Sequence, residues 1–188
     1  MNFNDVIRSG DFLVLDTETT GLDRSAEICQ IAIIDSTGKV LLDTLVKPFN
    51  LIPEHATRIH GITNDMMITQ DPPLWTTLRA QVYELLKGRH VVIYNAVYDR
   101  KMMHQSGDQW LMPKIDWKTI ATFHCAMLAF AKVFGDWDSF HGDYRWKTLS
   151  TAASYYGLYH VSAPAHSALG DCLMTLAVCK AMAAAVEK

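Results

Sequence analysis

An apolar run, F-L-V-L from Phe12 to Leu15, leads directly into D-T-E-T-T-G, so two carboxylates one residue apart, Asp16 and Glu18, stand at the end of what reads as a core strand. Successive side chains of a strand alternate faces, which puts both acids on one face with their Cα atoms about 6.5 to 7 Å apart. In a partly buried site such a pair repels itself and loses solvation. Either a proton neutralises one partner or a cation sits between them. A divalent ion is the economical choice, because Mg²⁺ is held by a few carboxylates and keeps waters and phosphate oxygens as its other ligands. At an exposed strand end the same charges would sit in water at little cost, so D-x-E alone leaves both readings open.

The 188 residues, 49% hydrophobic and 20% charged, suffice for one well-filled domain, taken here as 1–188. No window approaches the ~18 uncharged apolar residues of a membrane span, and the opening M-N-F-N-D-V-I-R has no apolar signal core, which predicts a cytoplasmic protein away from membranes. Cys29, Cys125, Cys172 and Cys179 form no C-x-x-C pair and read as reduced, mostly buried thiols. Residues 1–35 carry two basic residues against seven acids, whereas residues 87–118 carry six against three. Such an asymmetry suits a polyanion held between metals and cationic side chains, or simply two solvated faces.

Three β-branched or aliphatic segments, F-L-V-L-D, I-C-Q-I-A-I-I-D and K-V-L-L-D-T-L-V-K-P, read as strands, the last two joined by the turn S-T-G-K. T-L-R-A-Q-V-Y-E-L-L-K-G has helical spacing with Gly88 as its stop, and R-H-V-V-I-Y-N is a short buried strand. From Asn95 onward the pattern is mainly helical, ending in an alanine-rich helix over 165–188 that begins after Pro164. This order predicts an α/β layered domain with a mixed sheet.

Two further clusters bear on chemistry. In Y-N-A-V-Y-D, Asn95 is a natural helix N-cap and Asp99 lies four residues on, within about 40° on a helical wheel, so both can face one cleft at the end of the preceding strand. Capping alone would account for Asn95. In P-A-H-S-A-L-G-D, His166 and Asp171 would lie about 140° apart on a regular helix, so they share a cavity only if His166 precedes it. The small residues Ala165, Ser167, Ala168 and Gly170 leave room for something large to approach.

The order D-x-E, then N-x-x-x-D about eighty residues later, then H-x-x-x-x-D, resembles the DEDD exonuclease superfamily in its histidine-bearing branch, which includes the proofreading subunit of bacterial replicative polymerase, exonuclease X, ribonuclease T and oligoribonuclease. The resemblance spans nearly the whole chain. R-I-H-G-I-T at 58–63, L-V-K-P at 45–48 and K-T-L-S-T-A-A-S-Y-Y-G-L at 147–158 look like landmarks of that family. The tyrosine-bearing branch, with Y-x-x-x-D, fits poorly. Tyr94 departs from the pattern, since many members carry histidine there.

This resemblance implies a ribonuclease-H-like fold with a central mixed five-stranded sheet flanked by helices, and 3′-to-5′ hydrolysis that releases nucleoside 5′-monophosphates. It is consistent with Asp16, Glu18, Asp99 and Asp171 holding two Mg²⁺ or Mn²⁺ ions about 3.5 to 4 Å apart, one activating water and one steadying the leaving 3′-oxygen. His166 is suited to take the water's proton near neutral pH. The resemblance also implies that the backbone around Thr17, Thr19 and Thr20, with Asn95, His60 and Ile62, cradles the terminal nucleotide; ordinary turn and core packing accounts for those residues equally well.

Single-stranded DNA is the favoured substrate, with RNA as the alternative. D-T-E-T-T also faintly resembles a phosphatase motif in which Asp16 would form an aspartyl-phosphate, but Glu18 replaces its second aspartate and His166 would have no role. A non-catalytic nucleic-acid-binding module is the remaining alternative. Aromatic and basic residues interleave in W-D-S-F-H-G-D-Y-R-W-K, 137–147, which could hold bases and phosphates; closing a core is the expected role. Ending on its last helix, the chain is expected to work without a polymerase partner, and a homodimer is left open.

Overall fold

The computed structural model describes residues 2–159 and 166–185. In chain order the elements are α1 (Phe3–Ser9), β1 (Leu13–Thr19), β2 (Ile28–Asp35), β3 (Val40–Leu45), α2 (Glu54–His60), α3 (Asn64–Thr69), α4 (Trp75–Leu86), β4 (His90–Ile93), α5 (Ala96–Gln109), α6 (Trp117–Ile120), β5 (Thr122–Cys125), α7 (Ala126–Phe134), β6 (Trp137–Asp138), β7 (Asp143–Tyr144), α8 (Leu149–Tyr155) and α9 (Ala168–Ala185). Five strands form one sheet in the order β3-β2-β1-β4-β5. The β1–β2 and β2–β3 pairs are antiparallel, while β1–β4 and β4–β5 are parallel, giving the expected mixed sheet.

Local chemistry accounts for the meander. The Asp35 carboxylate accepts hydrogen bonds from the backbone N–H groups of Thr37 and Lys39, and Gly38 sits at φ 95°, so the S-T-G-K turn closes the β2–β3 hairpin. Strand β5 was not legible in T-F-H-C, where four residues with a central histidine carry no strand periodicity; its pairing with β4, from His90↔Thr122 to Ile93↔Cys125, supplies the conformation instead.

The period of two in β1 divides the core. Phe12 and Val14 face a layer formed with Ala32, Ile34, Val92, Phe130 of α7, Ala152 of α8, and Cys172, Leu176 and Val178 of α9. Leu13 and Leu15 face the opposite layer, with Ile31, Ile33, Ile93, Trp75 and Val82 of α4 and Met102 of α5. By length and composition α9 is apolar enough to cross a membrane, yet half of it is buried and it packs across β1 and β2 as a core helix. Its expected start after Pro164 lies outside the described residues, as do 186–188; within them it runs from Ala168.

Residues 137–147 do not close a core. Trp137 on β6, Phe140 in the β6–β7 turn and Trp146 just after β7 are exposed, while Phe130, Phe134, Tyr155 and Tyr156 pack on one another without them. Fully buried Phe130 joins α7 to α8. Phe130→Ala should therefore lower stability by about 3–5 kcal/mol, read as a shifted urea midpoint with unchanged slope.

Candidate active site

Strand β1 runs through both acids to Thr19, so Asp16 and Glu18 share one face, each half-buried, with Thr17 buried on the other. That face continues Phe12 and Val14 under α9. Opposite Asp16 in the β2 register lies Ala32, and opposite Glu18 lies Gln30; a register shift follows between Glu18 and Thr19. Such a bulge re-aims the end of a strand beside a site.

On its other edge β1 pairs with β4 only at Leu13↔Val91 and Val14↔Val92, after which β4 ends and the chain turns into α5. Asp99, 3% exposed in the first turn of α5, occupies the position that the ladder leaves. Its Oδ1 accepts from the Thr17 backbone N–H at 3.1 Å and from the Thr17 hydroxyl at 2.8 Å. Thr17 thereby ties the helix acid to the strand that carries the other two.

Helix α9 brings Asp171, and its N-terminus is fastened to the sheet by two contacts. Gln30 Oε1 accepts from the Ala168 N–H at 3.1 Å, and the Cys172 thiol donates to the carbonyls of Val14 and Ala32. One oxygen each from Asp16, Glu18 and Asp171 lies within 4.8 Å of the others. His166 precedes the helix in the left-handed region, at φ 60°, which meets the condition for it to share a cavity with Asp171. The resulting cleft is lined by Asp16, Thr17, Glu18, Tyr94, Asn95, Tyr98, Asp99, Leu149, His166 and Asp171.

The electrostatics are one-sided. Burial, followed by repulsion from Asp99, Asp171 and Glu18, holds the Asp16 carboxyl well above the usual carboxylate range. Burial and the charges of Asp171 and Asp99 push Glu18 to about 7. Burial also raises Asp99 to about 7 against the opposing hydrogen bonds from Thr17, and it raises Asp171, where His166 acts in the opposite direction. Among the described residues no lysine or arginine pairs with any of the four. A divalent ion fits this donor set: hard carboxylate oxygens, closely spaced, with no side-chain cation to neutralise them.

The other expected site residues divide. Asn95 makes no side-chain capping bond to α5 and lines the cleft, so capping does not explain it. The Thr19 hydroxyl pairs with Tyr98 and Gly21, and the Thr20 hydroxyl accepts from the Glu27 N–H, so both side chains are committed internally. His60 accepts from the Ile62 N–H through Nδ1 and sits close enough to His166 for its charge to be felt, though desolvation is the main cause lowering its pKa. Ile62 is packed with Cys29, Ile52, Ala56 and Met67 and does not line the cleft. Sequence reasoning missed Tyr98, Leu149 and Gln30. Only Gln30 carried a signal, as the one polar residue inside I-C-Q-I-A-I-I.

The profile of the exonuclease family of RNase T type matches residues 13–179. The chain belongs to that exonuclease family. It is 39% identical to the uncharacterized exonuclease CP81 of Escherichia phage 186 over 175 residues, covering 92% of this chain and 88% of the phage protein. It is 36% identical over 104 residues to DNA polymerase III subunit epsilon of Buchnera aphidicola subsp. Schizaphis graminum, a match covering 50% of this chain and 43% of the subunit. The structure of exonuclease X in complex with 5′ overhanging duplex DNA superposes with a TM-score of 0.65 at 24% identity, covering 91% of this chain and 90% of that one. The zinc-bound E. coli ExoI–ssDNA complex does so with a TM-score of 0.66 at 18% identity, over 89% of this chain and 39% of the other. At those identities the two structures establish the shared fold. As a family member the chain is an exonuclease, a hydrolase of nucleic-acid phosphodiesters, which sets aside the phosphatase and the non-catalytic binding module.

The raised carboxyl pKa values set a pH dependence for the metal-free protein. Below about 4 both folded and unfolded chains are protonated at these groups; between there and about 7 the native state keeps protons that the unfolded chain has lost, so stability falls as pH rises. In EDTA the thermal midpoint should decline across that window. Asp16→Asn should raise it at pH 8, above the range in which Glu18 and Asp99 lose their protons, and Mg²⁺ should stabilise the native protein more at pH 8 than at pH 5 by calorimetry.

Proposed function

We propose that residues 1–188 form one exonuclease domain that shortens single-stranded DNA from its 3′ end, releasing nucleoside 5′-monophosphates. Asp16, Glu18, Asp99 and Asp171 hold two divalent ions, Mg²⁺ or Mn²⁺, and His166 is the general base. The observation that carries this reading is the meeting of three carboxylates within 4.8 Å, a fourth bonded to the same strand, and a histidine lining the same cleft. When bound, the ions supply charge neutralisation and a water acidic enough to lose its proton near neutral pH.

The chain's own groups do the rest. Positioning and charge neutralisation are most of what phosphoryl chemistry requires of a protein. Thr17 keeps Asp99 aimed from α5, and Gln30 with Cys172 keeps the N-terminal turn of α9 on the sheet, so Asp171 and His166 approach from the side opposite Asp99's helix. His166, exposed beside Asp171, receives the proton at an imidazole nitrogen. Asn95 contributes its amide to the terminal nucleotide, and the backbone at Thr17, Thr19 and Thr20 lies alongside, with His60 behind it. DNA is supported by the DNA named in the complexes of both similar structures and by the epsilon relatives, which also make the 3′-to-5′ direction the natural one.

The deciding experiment is a time course on matched 5′-labelled single-stranded DNA and RNA oligonucleotides with Mg²⁺, Mn²⁺ or EDTA. A metal-dependent ladder shortening from the 3′ end, faster on DNA, is expected; release of the 5′ label as mononucleotide would reverse the polarity. Asp16→Ala and Asp171→Ala should each abolish turnover with the fold intact by circular dichroism. His166→Ala should lose roughly 10² to 10⁴ in rate while oligonucleotide affinity stays close to wild type.

A further inference from the structure

Trp137 on β6, Phe140 in the β6–β7 turn and Trp146 two residues after β7 are exposed by 54%, 89% and 65%, on one short segment between α7 and α8. Large exposed rings on a soluble surface mark something that binds there. Their support is rigid. The Asp138 carboxylate accepts from the N–H groups of Phe140 and His141, from Arg145 Nε at 3.2 Å, and pairs with His141 Nδ1 at 3.0 Å. Gly142 turns at φ 67°, and the Trp137 ring meets Tyr144 edge to face at 5.1 Å. A surface ordered before its ligand arrives loses little entropy on binding.

The hairpin is continuous with the catalytic cleft. Its outgoing leg is tied to cleft-lining Tyr94, whose hydroxyl donates to the carbonyls of Lys147 and Thr148, each at 2.9 Å, and three residues after Trp146 the chain reaches Leu149, which lines the cleft. The two lysine or arginine side chains of the segment 137–147 are engaged, Lys147 with Asp136 and Arg145 with Asp138. That leaves a set of aromatic faces with little free positive charge. Such a surface recognises the faces of bases and leaves phosphates to other groups.

We infer that the β6–β7 hairpin is a stacking platform for unpaired bases of the nucleic-acid strand whose 3′ end occupies the cleft. This deepens the exonuclease reading and rests on it. The platform acts only on substrates long enough to reach it, and its contribution is insensitive to salt because no phosphate is neutralised there.

The test compares the wild-type chain with Trp146→Ala/Phe140→Ala on a dinucleotide and on a single strand of about twelve nucleotides sharing its 3′ sequence, at 50 and 200 mM salt. The double variant should lose about tenfold or more in kcat/KM on the long strand, the size of one or two lost base stacks, with dinucleotide cleavage unchanged and the ratio equal at both salts. Equal losses on both lengths, no loss, or a loss that vanishes at high salt would each overturn the platform. So would self-association that disappears in the variant while length dependence persists, which would assign the surface to contact between copies. If the wild-type chain cleaves neither substrate, the exonuclease reading fails, and the platform is then decided by acrylamide quenching of tryptophan fluorescence. Protection by the long strand and not by the dinucleotide would uphold it, and no protection would refute it.

Discussion

Four carboxylates with no lysine or arginine partner among the described residues share one end of a sheet, and their repulsion is the constraint around which the neighbouring elements are arranged. Nothing local holds them together. Asp16 and Glu18 are fixed by the strand they belong to, whose alternate residues Phe12 and Val14 are locked beneath α9. Asp99 is kept by Thr17, and Asp171 by a helix whose N-terminal turn is fastened to β2 through Gln30 and to the sheet carbonyls through Cys172. The burial energy of the two apolar layers thus opposes an unfavourable charge cluster, a common arrangement at functional sites.

How much of this could be read in advance follows from the range of the interactions. The D-x-E pair was legible because strand alternation is local and has a period of two. The requirement that His166 precede its helix followed from helical geometry, and φ 60° at that residue satisfies it. Asn95 stands at the N-cap of α5, as its residue type suggests, but its side chain makes no capping bond and lines the cleft. Strand β5 and the roles of Gln30, Tyr98 and Leu149 depend on partners far along the chain, which no window contains. The aromatic stretch 137–147 was misread for a related reason: whether a tryptophan is buried depends on which distant elements pack over it, and none covers Trp137 or Trp146 among the described residues.

Tyr94 shows how a departure from a family pattern can be understood. Its backbone carbonyl accepts from the Met127 N–H and the Cys125 thiol, and its hydroxyl reaches two carbonyls at the entry to α8. A histidine ring is shorter and offers different hydrogen-bonding atoms. In this chain the residue links the end of β4 to the segment leading out of the β6–β7 hairpin, and burial holds its phenol well above the ordinary tyrosine range.

Helix α9 carries Asp171 one residue before Cys172, a fully buried thiol that donates to the sheet carbonyls of Val14 and Ala32. One helix therefore serves as a pillar of the hydrophobic interior and as an arm of the acidic cluster, without a loop between to absorb a shift. Drift in the interior is transmitted directly to the acid. A methyl gained beneath α9 therefore displaces Asp171, and the opposite layer is coupled in the same way to Asp99, because α5 packs into it through Ala96, Met102 and Met103.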